Sequence, residues 1–238
     1  MIKGFIGTSL IDYPSQISAV VFTGGCNFVC PFCQNASLVL PDKLQFQPDI
    51  PEAEIVEKIK ARSNFIDGVV ISGGEPTIHN DQLICFIQDL KRINSCKKSL
   101  LVKLDTNGSN PEFVKKGIEE GWLDYVAMDL KTSIDQYDEV TKLENSYDKV
   151  RQTMGILFAS SIGVEIRTTV VPGLIDMDKL IEMGEMIKDC KLFVLQGFRP
   201  KGVIDPAYEK IEPYPASYLH EAAEKLKNQY SFETIVRF

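Results

Sequence analysis

Three of the six cysteines fall within one short loop, Gly24-Gly25-Cys26-Asn27-Phe28-Val29-Cys30-Pro31-Phe32-Cys33. The spacing is C-x3-C-x2-C, with no fourth cysteine nearby. A structural zinc site takes four protein ligands, usually as two Cys/His pairs. The only histidines, His79 and His220, form no such pair. Three thiolates can instead hold three corners of an iron–sulfur cube and leave the fourth iron open, which suits a cluster that binds its substrate. Gly24 and Gly25 let the backbone fold close to the sulfides and aim amides at them. The residues alone leave two alternatives open: a zinc site completed by His79, and three buried, inert thiols. Cys85, Cys96 and Cys190 lack metal spacing and read as structural. His79 and His220 read as packing or surface residues.

Positioning such a loop requires a frame, and the chain offers one. Short β-rich runs alternate with amphipathic stretches. Strands are expected at Ile17–Phe22, Gly68–Ile71, Ser99–Leu104, Tyr125–Met128, Val164–Val171 and Leu192–Leu195, with a short terminal strand at Ile235-Val236. Helical spacing follows most of them: Ile55, Val56 and Ile59 after a cap at Asp49; Leu83, Ile84, Ile87 and Leu90; a helix capped by Asn110-Pro111; Tyr147, Val150, Met154, Leu157 and Phe158; Leu180, Ile181 and Ile187; and Tyr218, Leu219, Ala222 and Leu226. About six β–α units in a row imply right-handed crossovers and a parallel sheet. The expected fold is α/β, a partial (β/α)6 TIM-like barrel of parallel strands, in one domain over residues 1–238. Such barrels carry their chemistry on the loops at the carboxyl ends of the strands. The cysteine loop, Gly73-Gly74-Glu75-Pro76, Asp105-Thr106, Asp129-Leu130-Lys131 and Arg167 all fall at such places.

The 238 residues are 44% hydrophobic and 25% charged, which excludes a disordered or collagen-like chain. A net charge of −7 argues against broad nucleic-acid binding. No apolar run is long enough to span a bilayer, and Met1–Ser9 lacks a signal-peptide core. The expectation is a cytoplasmic protein with no membrane partner. In a reducing compartment a tight cysteine cluster reads as a metal or redox site.

The cysteine loop resembles that of the radical S-adenosylmethionine (SAM) enzymes, where an aromatic residue usually precedes the third cysteine, as Phe32 does here. Gly73-Gly74-Glu75-Pro76 matches their GGEP motif. Leu104-Asp105-Thr106-Asn107-Gly108, Asp129-Leu130-Lys131 and Val170-Val171-Pro172-Gly173 follow in family order. Ser9-Leu10-Ile11-Asp12-Tyr13-Pro14 and Val21-Phe22-Thr23-Gly24-Gly25-Cys26-Asn27 further resemble the activating enzymes of glycyl-radical enzymes. The nearest type is the anaerobic ribonucleoside-triphosphate reductase activators, and the pyruvate formate-lyase activators are a more distant match. The family fold is a partial (β/α) barrel of six units.

The resemblance implies one [4Fe-4S] cluster on Cys26, Cys30 and Cys33, with SAM on the open iron. It implies SAM contacts from Phe32, Asn35, Gly73, Gly74, Glu75, Pro76, Asp105, Thr106, Asp129, Lys131, Arg167 and Arg199. Phe32 would lie along the adenine. Gly73 and Gly74 would leave the strand end bare for the methionine moiety, with Glu75 holding the turn and Pro76 ending the strand. Asp105 and Asp129 would neighbour the SAM carboxylate and share a monovalent cation with an oxygen of Thr106; Lys131 is a second candidate for that positive charge. Pyruvate formate-lyase activators have a histidine near the place of Arg199, so this chain departs from them there. The implied partners are a glycyl-radical enzyme as protein substrate and a flavodoxin or ferredoxin as electron donor. With no further cysteine-rich insert, one cluster per chain is expected. Two competing functions remain: a radical SAM enzyme acting on a small molecule such as a 7-deazaguanine precursor, and a metal-binding protein without catalysis.

Overall fold

The computed structural model describes residues 1–93 and 99–238, so Cys96 lies outside the described residues. Its frame is one eight-stranded sheet in sequence order: β1 Ile2–Ser9, β2 Ser18–Thr23, β3 Gly68–Gly73, β4 Leu101–Thr106, β5 Tyr125–Asp129, β6 Gly163–Val170, β7 Leu192–Gly197 and β8 Glu233–Arg237. Each pair from β2 to β8 is parallel, whereas β1 runs antiparallel to β2. The helices are α1 Ala36–Val39, α2 Pro41–Leu44, α3 Glu52–Lys60, α4 Asn80–Lys91, α5 Pro111–Glu119, α6 Tyr137–Thr141, α7 Ser146–Phe158, α8 Met177–Met186 and α9 Ala216–Gln229. Strand–helix alternation with neighbours in chain order is the arrangement of an α/β barrel left open between its first and last strands.

The central strands are apolar because both faces are covered. Val69, Val70, Ile71, Val102, Leu104, Val126, Ala127 and Met128 are all buried. Outside them pack the apolar stripes of the helices: Ile55 and Ile59 of α3, Leu83 and Ile87 of α4, Val150 and Leu157 of α7, and Ala222 and Leu226 of α9. Asn110 caps α5 as its residue type predicts, its Oδ1 accepting from the Phe113 amide at 3.2 Å.

Two local expectations are corrected. β1 adds an antiparallel strand to the expected all-parallel set. It carries register shifts between Ile2 and Gly4 and between Ile6 and Ser9, and Gly4 and Gly7 add no side chain to the period of two that marks a strand in sequence. Asp49 does not cap α3. Ile50 forms a bridge to Ile2, its amide donating to the Ile2 carbonyl at 3.0 Å, and Asp49 pairs with Lys3 at 2.8 Å. That extended segment delays the helix, whose first flanking residue is Pro51.

Candidate active site

The cysteine loop leaves the end of β2 and is tied down on several sides. Gly24 and Gly25 donate their amides to the carbonyls of Met1 (3.0 Å) and Leu38 (2.7 Å). Val29 donates to the Thr141 carbonyl at the end of α6, and Ile204 and Asp205 donate to the carbonyls of Cys33 and Pro31. Asn107, after β4, donates its amide group to Asn27 Oδ1 at 2.9 Å and reaches Cys26 Sγ at 3.9 Å. The Phe28 amide points at Cys26 Sγ from 3.4 Å.

The glycines of the turn after β3 have a reason in this loop. Gly73 sits at φ +122°, and a Cβ there would lie 2.3 Å from the Thr23 carbonyl oxygen. A Cβ on Gly74 would lie 1.9 Å from the Gly25 carbonyl oxygen. Two backbones meet here, since Gly74 and Glu75 donate to the carbonyls of Thr23 and Gly25. The close approach that demands glycine is therefore to the cysteine loop itself. Asn35 closes the contact from the other side, donating to the Gly73 carbonyl at 2.7 Å.

Glu75 is wholly buried and accepts four hydrogen bonds. Its Oε1 takes the Thr77 amide (3.1 Å), the Thr77 hydroxyl (2.6 Å) and the Thr106 hydroxyl (2.8 Å); Oε2 takes the Asn107 amide (2.6 Å). Burial pushes its carboxyl up, and those donors pull against it. The carboxylate thus clamps the β3 turn to the β4 turn.

A cavity of about 440 Å³ opens at the carboxyl ends of these strands. Cys26, Cys30 and Cys33 line it together with Phe32, Asn35, Gly73, Gly74, Asp105, Thr106, Asp129, Lys131 and Arg167. Nine of the expected SAM contacts and all three expected cluster ligands are thus brought to one place. Three other expected contacts are not among its lining. Glu75 and Pro76 are buried behind the wall, where β3 has already ended at Gly73 and Pro76 opens a 3-10 turn, Pro76–His79. Arg199 is exposed and lines an adjoining cavity of about 670 Å³, while its carbonyl accepts from Gln34 Nε2 at 2.6 Å. Phe32 is buried against Tyr208 as well as facing the cavity, so its role as a packing anchor is visible.

Strand register assembles the charges. Asp129 lies beside Arg167 across β5 and β6. Arg167 Nε donates to Asp129 Oδ1 at 2.7 Å, and Lys131 Nζ to Asp129 Oδ2 at 3.0 Å. Asp105 Oδ1 takes Lys103 Nζ at 2.5 Å with Arg167 Nη1 at 3.3 Å, and its Oδ2 takes the Ser72 hydroxyl at 3.0 Å. Burial pushes both carboxyls up. For Asp129 the charges of Arg167 and Lys131 outweigh it, and for Asp105 those of Arg167 and Lys103, so both sit below the usual carboxylate range. All four oxygens already accept from the protein. The Thr106 hydroxyl is turned away to Glu75 and accepts from the Gly108 amide. The three cations Lys103, Lys131 and Arg167 already offset these two acids, so charge opposes the further monovalent cation expected between them.

The thiols fit the expected cluster better. Burial pushes Cys26 up to about 12 and Cys30 up to about 11. As thiolates they need a strong positive partner, which bound iron supplies. Among the described residues no three His, Cys, Asp or Glu side chains close around a single metal ion. A cube, with one iron per thiolate, needs no such convergence. His79 lies outside the cavity lining and its Nε2 bonds the Gly24 carbonyl at 2.7 Å, which commits that nitrogen as a donor. Cys190 is buried, as a structural cysteine should be, whereas Cys85 is exposed on α4.

Sequence reasoning passed over Lys103 and Glu165. Both are buried, and each stands two residues before a residue it did identify, Asp105 and Arg167. In a strand that spacing puts the pair on one face, and this was the available signal. Glu165 is held by Arg237 of β8 through paired bonds of 3.0 and 2.8 Å.

A family model described as the radical SAM superfamily matches residues 20–185. A Methanocaldococcus jannaschii protein, whose name proposes a glycyl-radical enzyme activating enzyme, is 33% identical over 100% of this chain and 95% of its own length. The pyruvate formate-lyase-activating enzyme of Streptococcus mutans is 31% identical over 76% of this chain and 69% of its length. Among solved structures, Streptococcus suis SuiB bound to its precursor peptide SuiA aligns with a TM-score of 0.67 at 15% identity. It matches 92% of this chain but only 48% of its own length, and it speaks for the fold alone. A matching family model, a relative aligned end to end and an open α/β barrel with three thiols at its mouth agree, and the chain belongs to the radical SAM superfamily.

Proposed function

We propose that this chain activates a glycyl-radical enzyme, with one [4Fe-4S] cluster on Cys26, Cys30 and Cys33 and SAM in the cavity they line. The observation that carries this reading is the convergence of three thiols with Asp105, Asp129, Lys131 and Arg167 on one cavity. The end-to-end relationship to the M. jannaschii protein directs it toward a glycyl-radical partner. When bound, the cluster supplies one low-potential electron, and SAM yields methionine and an adenosyl fragment that takes a hydrogen atom.

The chain's own residues bind and orient. Lys131 and Arg167 present cationic N–H groups to the SAM carboxylate while Asp129 keeps them paired. Phe28, Phe32 and Val39 form the apolar wall that keeps water from the adenosyl end. Asn35, Gly73 and Gly74 shape the rim beside the cysteines, and Glu75, Pro76 and Thr106 hold that rim from behind. Arg199 serves the outer cavity, which Ile11 and Asp12 from the β1 end and Phe238 from the β8 end also line. The barrel is open between those edges, and the partner's glycine loop enters there to lie against the adenosyl carbon.

The anaerobic ribonucleotide reductase is the partner to test first, with a flavodoxin or ferredoxin as donor. Residues 1–238 act as a single radical SAM domain, in the cytoplasm, without nucleic acid or membrane; among the described residues no helix is long and apolar enough to cross a bilayer. The test is isotopic. A candidate partner carrying α-deuterated glycine, incubated with reconstituted protein, SAM and reductant, should transfer one deuterium into 5′-deoxyadenosine. Cleavage of SAM with no label transferred from any glycyl-radical enzyme of the source organism would move the target to a small molecule.

A further inference from the structure

Lys103 is the most buried cation of the site, its side chain 2% exposed, and it lies on the inward face of β4 two residues before Asp105. Its Nζ is 2.5 Å from Asp105 Oδ1, 4.0 Å from Glu165 Oε1 and 5.9 Å from the centre of the Tyr125 ring. A buried ammonium held by two carboxylates and an aromatic face resembles a bound potassium ion in charge and size, with the seat supplied by the chain. Each oxygen of Asp105 and Asp129 already faces a protein donor, Lys103 and Ser72 on Asp105 and Arg167 and Lys131 on Asp129, and these three cations outnumber the two acids, so charge opposes a further positive ion from solution.

We infer that Lys103 is a tethered replacement for the monovalent cation of this site, a positioning residue that sets Asp105 beside Arg167 and makes SAM binding independent of sodium and potassium. The inference rests on reading the cavity as a SAM site and not on the identity of the protein substrate. Lys103 lines only the adjoining cavity, whereas Asp105 and Arg167 line both. It therefore acts on SAM through Asp105 and Arg167 rather than by contact.

The experiment compares SAM affinity of the cluster-loaded protein in choline, sodium and potassium chlorides at equal ionic strength. The parent should bind SAM equally in all three, within ~2-fold. Lys103→Met should lose at least ~10-fold in choline chloride and regain most of it in potassium or sodium chloride. Lys103→Arg, which keeps the charge, should show no such rescue. A parent that loses ~10-fold or more on moving to choline overturns the inference, and so does a Met variant with one affinity in all three salts. Should Lys103→Met fail to fold, Lys103→Gln serves the same comparison, and the parent's salt response refutes the inference by itself. Thermal melting without SAM separates the lysine's role from the SAM reading. Potassium over choline should raise the melting temperature of the Met or Gln variant and leave the parent unchanged. A parent raised by potassium, or a variant that ignores it, contradicts the inference even if SAM binds nowhere.

Discussion

Glu75→Gln is nearly isosteric and removes one charge from a carboxylate with four donors around it. Three of them converge on Oε1 and the Asn107 amide alone addresses Oε2. Glutamine offers one acceptor oxygen and one donor NH2. With its oxygen facing Thr77 and Thr106, its NH2 meets the Asn107 amide, donor to donor. In the opposite orientation its NH2 meets the Thr77 amide, donor to donor, and the Thr77 and Thr106 hydroxyls must turn to accept. The cheaper arrangement loses one bond to a charged acceptor and leaves two buried donors opposed, about 3 kcal/mol or more. For a chain of this length that corresponds to a fall of roughly 6–12 °C in melting temperature. The damage should also reach the cluster, because the freed β4 turn carries Asn107, which steadies Asn27 and Cys26. The assay is thermal unfolding of the metal-free protein, followed by iron content after anaerobic reconstitution. A Gln variant that melts within ~2 °C of the parent would refute the clamp, since so small a shift is under ~1 kcal/mol.

Gly74→Ala puts a Cβ against the Gly25 carbonyl oxygen at 1.9 Å, with backbone on both sides. It should cost more than ~4 kcal/mol and yield protein that is insoluble or takes up no iron, read by soluble yield and iron content. Asp129→Asn should cost about 2 kcal/mol at neutral pH through weakened bonds to Arg167 and Lys131. Because the folded-state pKa of Asp129 lies below its unfolded value, its contribution is present above about pH 4 and fades as pH falls further. The gap between parent and variant in denaturant midpoint should therefore narrow on acidification below about pH 4, and a gap that widens would contradict the pairing. Cys30→Ala should abolish the iron–sulfur absorbance on reconstitution, and stable zinc with no iron uptake by the parent would overturn the cluster assignment.

The β–α alternation was legible because the central strands are buried on both faces and read as apolar runs, while the helices show their stripes at 3.6-residue spacing. β1 was not, since Gly4 and Gly7 put no side chain into its pattern. The start of α3 was misread because a long-range bridge between Ile2 and Ile50 overrides the local capping signal of Asp49. In the site, spacing pointed to the residues that meet but not always to what they meet. The glycines of the β3 turn were expected to leave room for a ligand, and they also leave room for the cysteine loop. Glu75 sits in a recognisable motif, yet its four donors come from two loops separated in sequence by some thirty residues. Arg199 follows the correct strand, two residues past the end of β7, but is exposed and lines the adjoining cavity instead. Lys103 was hidden among apolar neighbours on β4, where only its offset of two from Asp105 gives it away.

The proposed activity is to install a radical on a glycine of another protein. Electron paramagnetic resonance of a candidate glycyl-radical enzyme, after anaerobic incubation with this protein, SAM and reductant, addresses it most directly. The partner should show a glycyl doublet that disappears when the target glycine is changed to alanine and when Cys26, Cys30 or Cys33 of this chain is changed to alanine. A partner that stays silent beside a reduced, SAM-cleaving activator, for every glycyl-radical enzyme of the source organism, would contradict it.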